Sequence, residues 1–358
     1  MKSEPAIVTP AEVDCAWMTQ ALRAAGHAVE VVSLAALPIG TGQLGDTFRY
    51  TLEYAGDTPA GAPRTLVGKF PSSDEDSRNA ARHFGIFRTE AFFYAELADA
   101  AGMRVPRPLL SLFDEDSHDF VLLLEDLGHL RVGNQMTGCT LVEARVVMRE
   151  AARLHASHWD DPRLYAAPWI QRPHAAWGFY TAEQMRAVWP GFVERHGPRL
   201  AAEVLEVARR LVGRFERWNA PRNGPRCITH NDLRPDNLLL GDGDDPDVVV
   251  VDWQTMTFNC GAIDVGYFLG GALPPEVRHA HESELLAIYL DELARGGVRD
   301  YGATQFMRDY RHFVFTGAVM AIGSSMTVKR TERGDAMFLA MLTGAARHVL
   351  DLDALDCL

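Results

Sequence analysis

Apolar and polar positions change period several times along this chain, and each change marks an element. Thr9, Pro10 and Glu12 form a capping-box start with proline at the first helical position, which predicts a helix over Ala11–Ala25 closed by Gly26. Val29 to Leu37 then alternates as a strand would, and Phe48, Tyr50 and Leu52 alternate within a second strand, Thr47 to Tyr54. Leu66-Val-Gly-Lys69-Phe is a short apolar strand carrying one lysine, and the polar PSSDEDSR after it reads as a mobile loop. Ile86 to Ala101 has Phe87, Ala91, Tyr94, Ala95 and Ala98 near one face, the mark of an amphipathic helix, with Glu90 beside that face. Val105-Pro-Arg-Pro breaks the helix and opens an extended run, and Phe120-Val-Leu-Leu-Leu is a strand that turns polar at Glu125-Asp-Leu127-Gly128.

The second half of the pattern is mainly helical. Thr140-Leu-Val-Glu143 is another capping box, opening a helix to about Trp159 in which His155 reads as a buried packing residue. Trp159, Tyr165, Trp169, Trp177, Phe179, Tyr180, Trp189 and Phe192 are dense enough to build a core, with a minority available to wall a substrate cleft. A helical stretch from about Pro198 to Trp218 follows. Two apolar runs, Leu238 to Leu240 and Val248 to Val251, flank a polar turn and predict a hairpin. From Pro275 onward the pattern is helical, punctuated by Gly296-Gly297 and by Lys329 to Gly334. The longest weakly polar run, His312 to Val328, is interrupted by Gly317, Gly323 and Ser324, which favours a buried helix over a membrane span.

That hairpin carries the candidate chemistry. Just before it, His230, Asp232 and Asn237 are spaced H-x-D-x-x-x-x-N, and Asp252 closes its second strand. Two carboxylates and a carboxamide offered from one side suit phosphoryl transfer, which needs a base for the incoming hydroxyl and oxygen ligands for a magnesium ion that screens the phosphates. Asp232 is the candidate base, and Asn237 and Asp252 are the candidate metal ligands. No Cys/His set stands nearby to suggest zinc. A second signal is Gly40-Thr-Gly42-Gln-Leu-Gly45, where glycines let backbone N–H groups approach phosphate oxygens. A dinucleotide-binding turn shares that spacing but requires a helix after the glycines, whereas Thr47 to Tyr54 alternates as a strand.

The loop HNDLRPDN resembles the catalytic loop of the protein-kinase-like superfamily, and VVVDW supplies the second metal aspartate where protein kinases carry D-F-G. The closer likeness is to the aminoglycoside phosphotransferase and choline kinase branch, within it to the ecdysteroid-kinase-like proteins; it extends over most of the chain and includes the ARLHASHW segment. The resemblance implies a bilobal α+β fold of the protein-kinase type. Its small antiparallel sheet with a Lys-Glu helix would form an N-terminal nucleotide-binding lobe over 1–124, its hinge would be 125–128, and a larger, mainly helical lobe would span 129–358. It also implies ATP and Mg2+ as cofactors, Gly40, Gly42 and Gly45 over the phosphates, Lys69 on the α and β phosphates with Glu90 holding its ammonium, and Glu125 and Leu127 reading the adenine edge. Arg234 stands where protein kinases place a lysine that touches the transferred phosphate; a salt bridge to a neighbouring carboxylate is the equal alternative. His230 braces the loop. Asn231 replaces the arginine that pairs with a phosphorylated activation loop, so that switch is not expected. Asp264 resembles the acid that anchors this loop, although a helix N-cap would also place an acid there. The short run from Asp252 to Asp264 has no room for the segment on which protein substrates dock, which points to a small-molecule hydroxyl acceptor.

Composition narrows the partners. A chain of 358 residues with 47% hydrophobic content is long enough for two packed lobes. Its net charge of -13 argues against nucleic acid or an anionic membrane as partner and leaves cationic acceptors open. Cys15, Cys139, Cys227, Cys260 and Cys357 show no C-x-x-C spacing, and the first residues lack an apolar signal core, so a cytoplasmic location is expected. The expected activity is ATP- and Mg-dependent transfer of a phosphate to a bulky, steroid-like, aminoglycoside-like or choline-like alcohol. The alternative is a nucleotide-binding pseudokinase, against which the chemically competent residues at every key position weigh. The sequence leaves the oligomeric state open.

Overall fold

A computed structural model describes residues 5–40, 44–170 and 180–358. Gly42 of the glycine run, and Trp177 and Phe179 of the aromatic stretch, lie outside the described residues. The chain divides into two compact units: one holds Met1–Ala100, Val105–His129 and Asp252–Gln254, the other Ala101–Arg104, Leu130–Val251 and Thr255–Leu358.

The first unit is built on a 5-stranded antiparallel sheet of β1 (Val31–Pro38), β2 (Gly45–Tyr54), β3 (Thr65–Pro71), β4 (Pro108–Phe113) and β5 (Phe120–Glu125), in the order β1-β2-β3-β5-β4. Tyr50, Leu52, Leu66, Phe70, Val121 and Leu123 form one apolar cluster with Trp17, Met18 and Leu22 of helix α1 (Cys15–Ala24). That helix starts later than its capping box predicts. The Thr9–Glu12 box closes only a 3-10 turn, Pro10–Glu12, because Val13 is extended and Asp14 caps afresh by accepting from Trp17 N at 2.7 Å. The segment read as a mobile loop is instead the start of helix α2 (Glu75–Phe84): Asp74 accepts from Ser77 N at 2.9 Å, and Glu75 and Asp76 favour its N-terminus. Gly85, at φ 64, ends α2 and begins α3 (Ile86–Phe92), which continues as a π turn, Phe93–Leu97, and a 3-10 turn, Ala98–Ala100.

The second unit is mainly helical. It begins with β6 (Arg131–Val132), α4 (Leu141–Ser157), α5 (Pro162–Ala166), α6 (Ala182–His196), α7 (Ala202–Gly213) and α8 (Phe215–Trp218). Then come β7 (Cys227–Thr229), the antiparallel hairpin β8 (Leu238–Leu240) and β9 (Val248–Val250), and β10 (Thr257–Asn259), which pairs with β7. It ends with α9 (Ala262–Ala272), α10 (Pro275–Arg295), α11 (Ala303–Phe313), α12 (Thr316–Thr327) and α13 (Glu332–Asp351). Helix α9 is buried from Ala262 to Gly270 and packs against α4, α11, α12 and α13, as its nearly continuous apolar sequence requires. Among the aromatics of the middle stretch, Tyr180 and Phe192 are buried, Trp159, Trp169 and Trp189 half-buried, and Tyr165 exposed. Helix α12 covers most of the weakly polar run and is buried over Thr316–Gly323; among the described residues no helix is long and apolar enough to cross a membrane.

One buried contact in this unit makes stability depend on pH. Trp218 Nε1 donates to His312 O at 2.8 Å and the two rings stack, while burial and the Arg222 charge push His312 from its ordinary 6.5 down to about 3. The unfolded chain therefore takes a proton near pH 6.5 that the folded chain refuses until about 3. Over that window this residue should remove about 1.4 kcal/mol of stability per pH unit as pH falls. Urea denaturation at a series of pH values should show that slope in the wild type and a shallower one in His312→Gln; equal slopes would refute it.

Candidate active site

The loop after β7 is held by a carboxylate beneath it. The backbone N–H groups of His230 and Asn231 donate to Asp264 Oδ2 and Oδ1, both at 2.7 Å. Asp264 lies within the first turn of α9, with Gly261 rather than Asp264 at the N-cap, and is fully buried. It also meets His155 Nε2 at 3.1 Å, and His155 Nδ1 meets the Tyr289 hydroxyl at 2.8 Å. Gly261 permits this close approach, because a Cβ there would stand 2.6 Å from His155 Nδ1 and 2.8 Å from Tyr289 OH. A buried carboxylate is tolerated when several donors replace its water, and here three reach it. Two of them fix the turn in which Asn231 takes a left-handed φ of 61, a conformation asparagine accepts better than most residues. Its own amide donates to Thr255 O at 2.9 Å and Thr257 Oγ1 at 2.7 Å.

Asp232 projects from this turn with only 9% of its surface exposed. Tyr267 OH donates to its Oδ1 at 2.6 Å, Arg234 Nε reaches Oδ1 at 3.1 Å and Oδ2 at 3.3 Å, and Asn237 Nδ2 donates to Oδ2 at 2.8 Å. Arg234 Nη1 also donates to Asp236 Oδ2 at 2.7 Å, so one guanidinium serves two carboxylates. Burial works against that charge, and Asp232 and Asp236 more than offset it, holding Arg234 above its ordinary pKa. The second amide hydrogen of Asn237 goes to Asp232 O at 2.9 Å, and among the described residues no donor reaches Asn237 Oδ1. His230 braces the loop: its Nδ1 accepts from Asp232 N at 3.2 Å, which leaves Nε2 to donate to Val251 O at 3.0 Å. Val251 N in turn donates to Asn237 O at 3.0 Å.

A second cluster lies in the first unit. Lys69 Nζ, on β3, donates to Glu90 Oε1 and Oε2 at 2.7 Å each and to Asp252 Oδ1 at 3.0 Å. Glu90 is buried on α3 and also accepts from the Trp253 backbone, while the Trp253 ring stacks on Phe93 with centroids 3.8 Å apart. Burial opposes the Lys69 ammonium, but Asp252 and Glu90 outweigh it and raise its pKa. Asp252 adopts φ 69, a second left-handed non-glycine residue at a candidate position. The other candidates of this unit take no part in those hydrogen bonds. Gly40, at φ 79, would have nothing within 4 Å of a Cβ, and Gly45 opens β2 against Pro71. A strand thus follows the glycine run, contrary to the dinucleotide-binding alternative. Glu125 ends β5 and gives its N–H to Arg107 O at 2.9 Å; Leu127 is buried.

Each unit therefore gathers part of the expected set: Lys69, Glu90 and Asp252 in one, Asp232, Arg234 and Asn237 in the other. Tyr267 was missed from sequence. Its position three residues after Asp264 places both on one face of α9, so the anchor acid together with helical spacing would have found it.

A model of the phosphotransferase enzyme family matches residues 37–307. No curated protein matches the chain. Among solved structures it is similar to a candidate aminoglycoside phosphotransferase from Ralstonia eutropha JMP134, at 16% identity over 94% of this chain and 96% of that one, TM-score 0.56. It is also similar to the GDP and kanamycin complex of APH(2")-IIIa, at 12% identity over 92% of this chain and 97% of that one, TM-score 0.52. A third is the GDP complex of wild-type aminoglycoside 2'-phosphotransferase-IIIa, at 14% identity over 93% of this chain and 99% of that one, TM-score 0.52. At these identities the likeness is one of fold, and it bears out the α+β, protein-kinase-like class expected from the sequence.

The anchor yields a stability test. Asp264→Ala leaves two backbone N–H groups and His155 buried without their acceptor, and should cost about 3 kcal/mol or more. Urea denaturation followed by far-UV circular dichroism would show a lower midpoint; an unchanged midpoint would mean that the carboxylate does not hold the loop.

Proposed function

The chain belongs to the phosphotransferase enzyme family, and from that premise we propose that it is an ATP- and magnesium-dependent O-phosphotransferase acting on a hydroxyl of a small molecule. The observation that carries this reading is the setting of Asp232, a carboxylate with little exposure, anchored through its backbone and met by three donors. A group so placed can orient an acceptor hydroxyl and take its proton as the oxygen attacks phosphorus. Asn237 and Asp252 are the magnesium ligands of this proposal. Their chemistry fits a hard cation: Asn237 keeps its oxygen unengaged among the described residues because its amide nitrogen serves Asp232, and Asp252 is the most exposed member of a cluster with two carboxylates and one ammonium. Magnesium, when bound, neutralises charge on the phosphate oxygens.

In the same reading Lys69 binds the nucleotide phosphates, positioned by Glu90, with Gly40, Gly42 and Gly45 over them and Glu125 and Leu127 at the base. Arg234, although paired with Asp232 and Asp236, remains the cation beside the base and the proposed stabiliser of charge on the transferred group. GDP is named with two of the structurally similar phosphotransferases, which makes GTP the competitor to test against ATP. A small acceptor is favoured because the run from Asp252 to Asp264 is taken up by a 3-10 turn, Trp253–Thr255, and by β10 before α9 begins. The ecdysteroid-kinase-like resemblance points to a bulky, partly apolar alcohol. All five cysteines are free thiols, which suits a cytoplasmic location.

The test is mass-spectrometric detection of a phosphoryl group added to one member of a panel of alcohols, aminoglycosides and choline, with ATP and with GTP. On the acceptor so found, Asp232→Ala should lower turnover by about 10²–10⁴-fold while nucleotide binding persists. Asn237→Ala and Asp252→Ala should weaken binding of the magnesium nucleotide, as read by calorimetry. Nucleotide binding with no transfer across the panel would favour the pseudokinase reading, and unchanged turnover in Asp232→Ala would remove Asp232 as the base.

A further inference from the structure

Tyr267 is the contact of Asp232 that neither the motif nor the chemistry of phosphate transfer calls for. Its hydroxyl donates to Asp232 Oδ1 at 2.6 Å, and the residue is buried. Gly317 lies against it, so that a Cβ there would stand 3.4 Å from Tyr267 Cδ2, and the cavity beside it, lined by Gln135, Arg234 and Phe268, measures about 10 Å3, space for one water. The ring is carried by α9, the helix whose Asp264 holds the successive N–H groups of His230 and Asn231. One buried helix thereby fixes both the main chain of the loop and the side chain that leaves it.

The count of lone pairs on the carboxylate gives this contact a consequence. A carboxylate has about two acceptor positions on each oxygen. On Oδ1 they are taken by Tyr267 OH at 2.6 Å and Arg234 Nε at 3.1 Å. On Oδ2 one is taken by Asn237 Nδ2 at 2.8 Å, and among the described residues the only other donor is the same Arg234 Nε, at the longer 3.3 Å. We propose that Tyr267 is the positioning residue for Asp232, saturating Oδ1 so that Oδ2 is the oxygen presented to the acceptor hydroxyl. This rests on the phosphotransfer reading above. In that step the acceptor proton passes to Asp232 Oδ2 as the acceptor oxygen bonds to phosphorus, and the bond from phosphorus to the departing nucleoside diphosphate breaks. Without the phenol, Arg234 Nε and Asn237 Nδ2 are the donors left on the carboxylate among the described residues, and its plane is less firmly fixed about the Cβ–Cγ bond.

Tyr267→Phe keeps the ring and removes only the hydroxyl. Turnover at saturating acceptor should fall about tenfold or more, the scale expected when a reacting group loses its alignment. The KM for acceptor and nucleotide and the thermal midpoint should stay close to wild type. A crystal structure of the variant should show the Asp232 carboxylate rotated from its wild-type orientation. An unchanged kcat, or a kcat loss that merely follows a lowered thermal midpoint, would overturn the proposal. So would a carboxylate that keeps its orientation in the variant. Absence of transfer by the wild-type protein would instead strike the functional reading, and the crystallographic comparison would still decide the role of Tyr267.

Discussion

A single buried carboxylate governs the loop that carries Asp232, the candidate base. Asp264 is fully buried and accepts the backbone N–H groups of His230 and Asn231. Two charge-assisted hydrogen bonds fix the successive peptides on either side of the His230 Cα. The left-handed turn at Asn231 becomes tenable because its side chain also finds partners in Thr255 and Thr257. Asp232, the next residue, then has its direction set by main-chain geometry before any contact of its own side chain. The carboxylate can sit there because α9 is enclosed by α4, α11, α12 and α13 and because His155 supplies a further donor.

The two clusters share an electrostatic design. In each, one cation lies between two carboxylates: Lys69 with Glu90 and Asp252, Arg234 with Asp232 and Asp236. An unpaired buried charge is costly, and an ion pair offsets part of that cost. In the first cluster burial raises Glu90 above the ordinary carboxylate range although Lys69 opposes it; in the second Arg333 also approaches Asp236, at 3.6 Å. In the first cluster Asp252 keeps 29% of its side chain exposed against 2% for Glu90.

Much of this was legible in sequence because the signals are local. The hairpin of β8 and β9 follows from two apolar runs about a polar turn, and the strand after the glycines follows from the alternation of Phe48, Tyr50 and Leu52. The fitness of the asparagine at 231 for a left-handed turn appears only with the backbone angle. Two local readings failed because a stronger cap lay nearby: Asp14 displaced Thr9 as the start of α1, and Asp74 turned a polar stretch into the first turn of α2. What stayed hidden is long-range. Nothing in the spacing of Arg234 told that it would serve Asp232 and Asp236 together, and the reach of Tyr267 across to Asp232 depends on how α9 lies under the loop.

The claim that a carboxylate beneath the loop sets the direction of Asp232 is tested most directly by amide hydrogen exchange at His230 and Asn231 in the intact, deuterated protein, followed by NMR. Both amides lie outside helices and strands, so an unanchored loop would exchange them as fast as an exposed turn. The account predicts protection comparable with that of the buried amides of β7 and α9. Exchange of either amide at the rate of an exposed turn would contradict it.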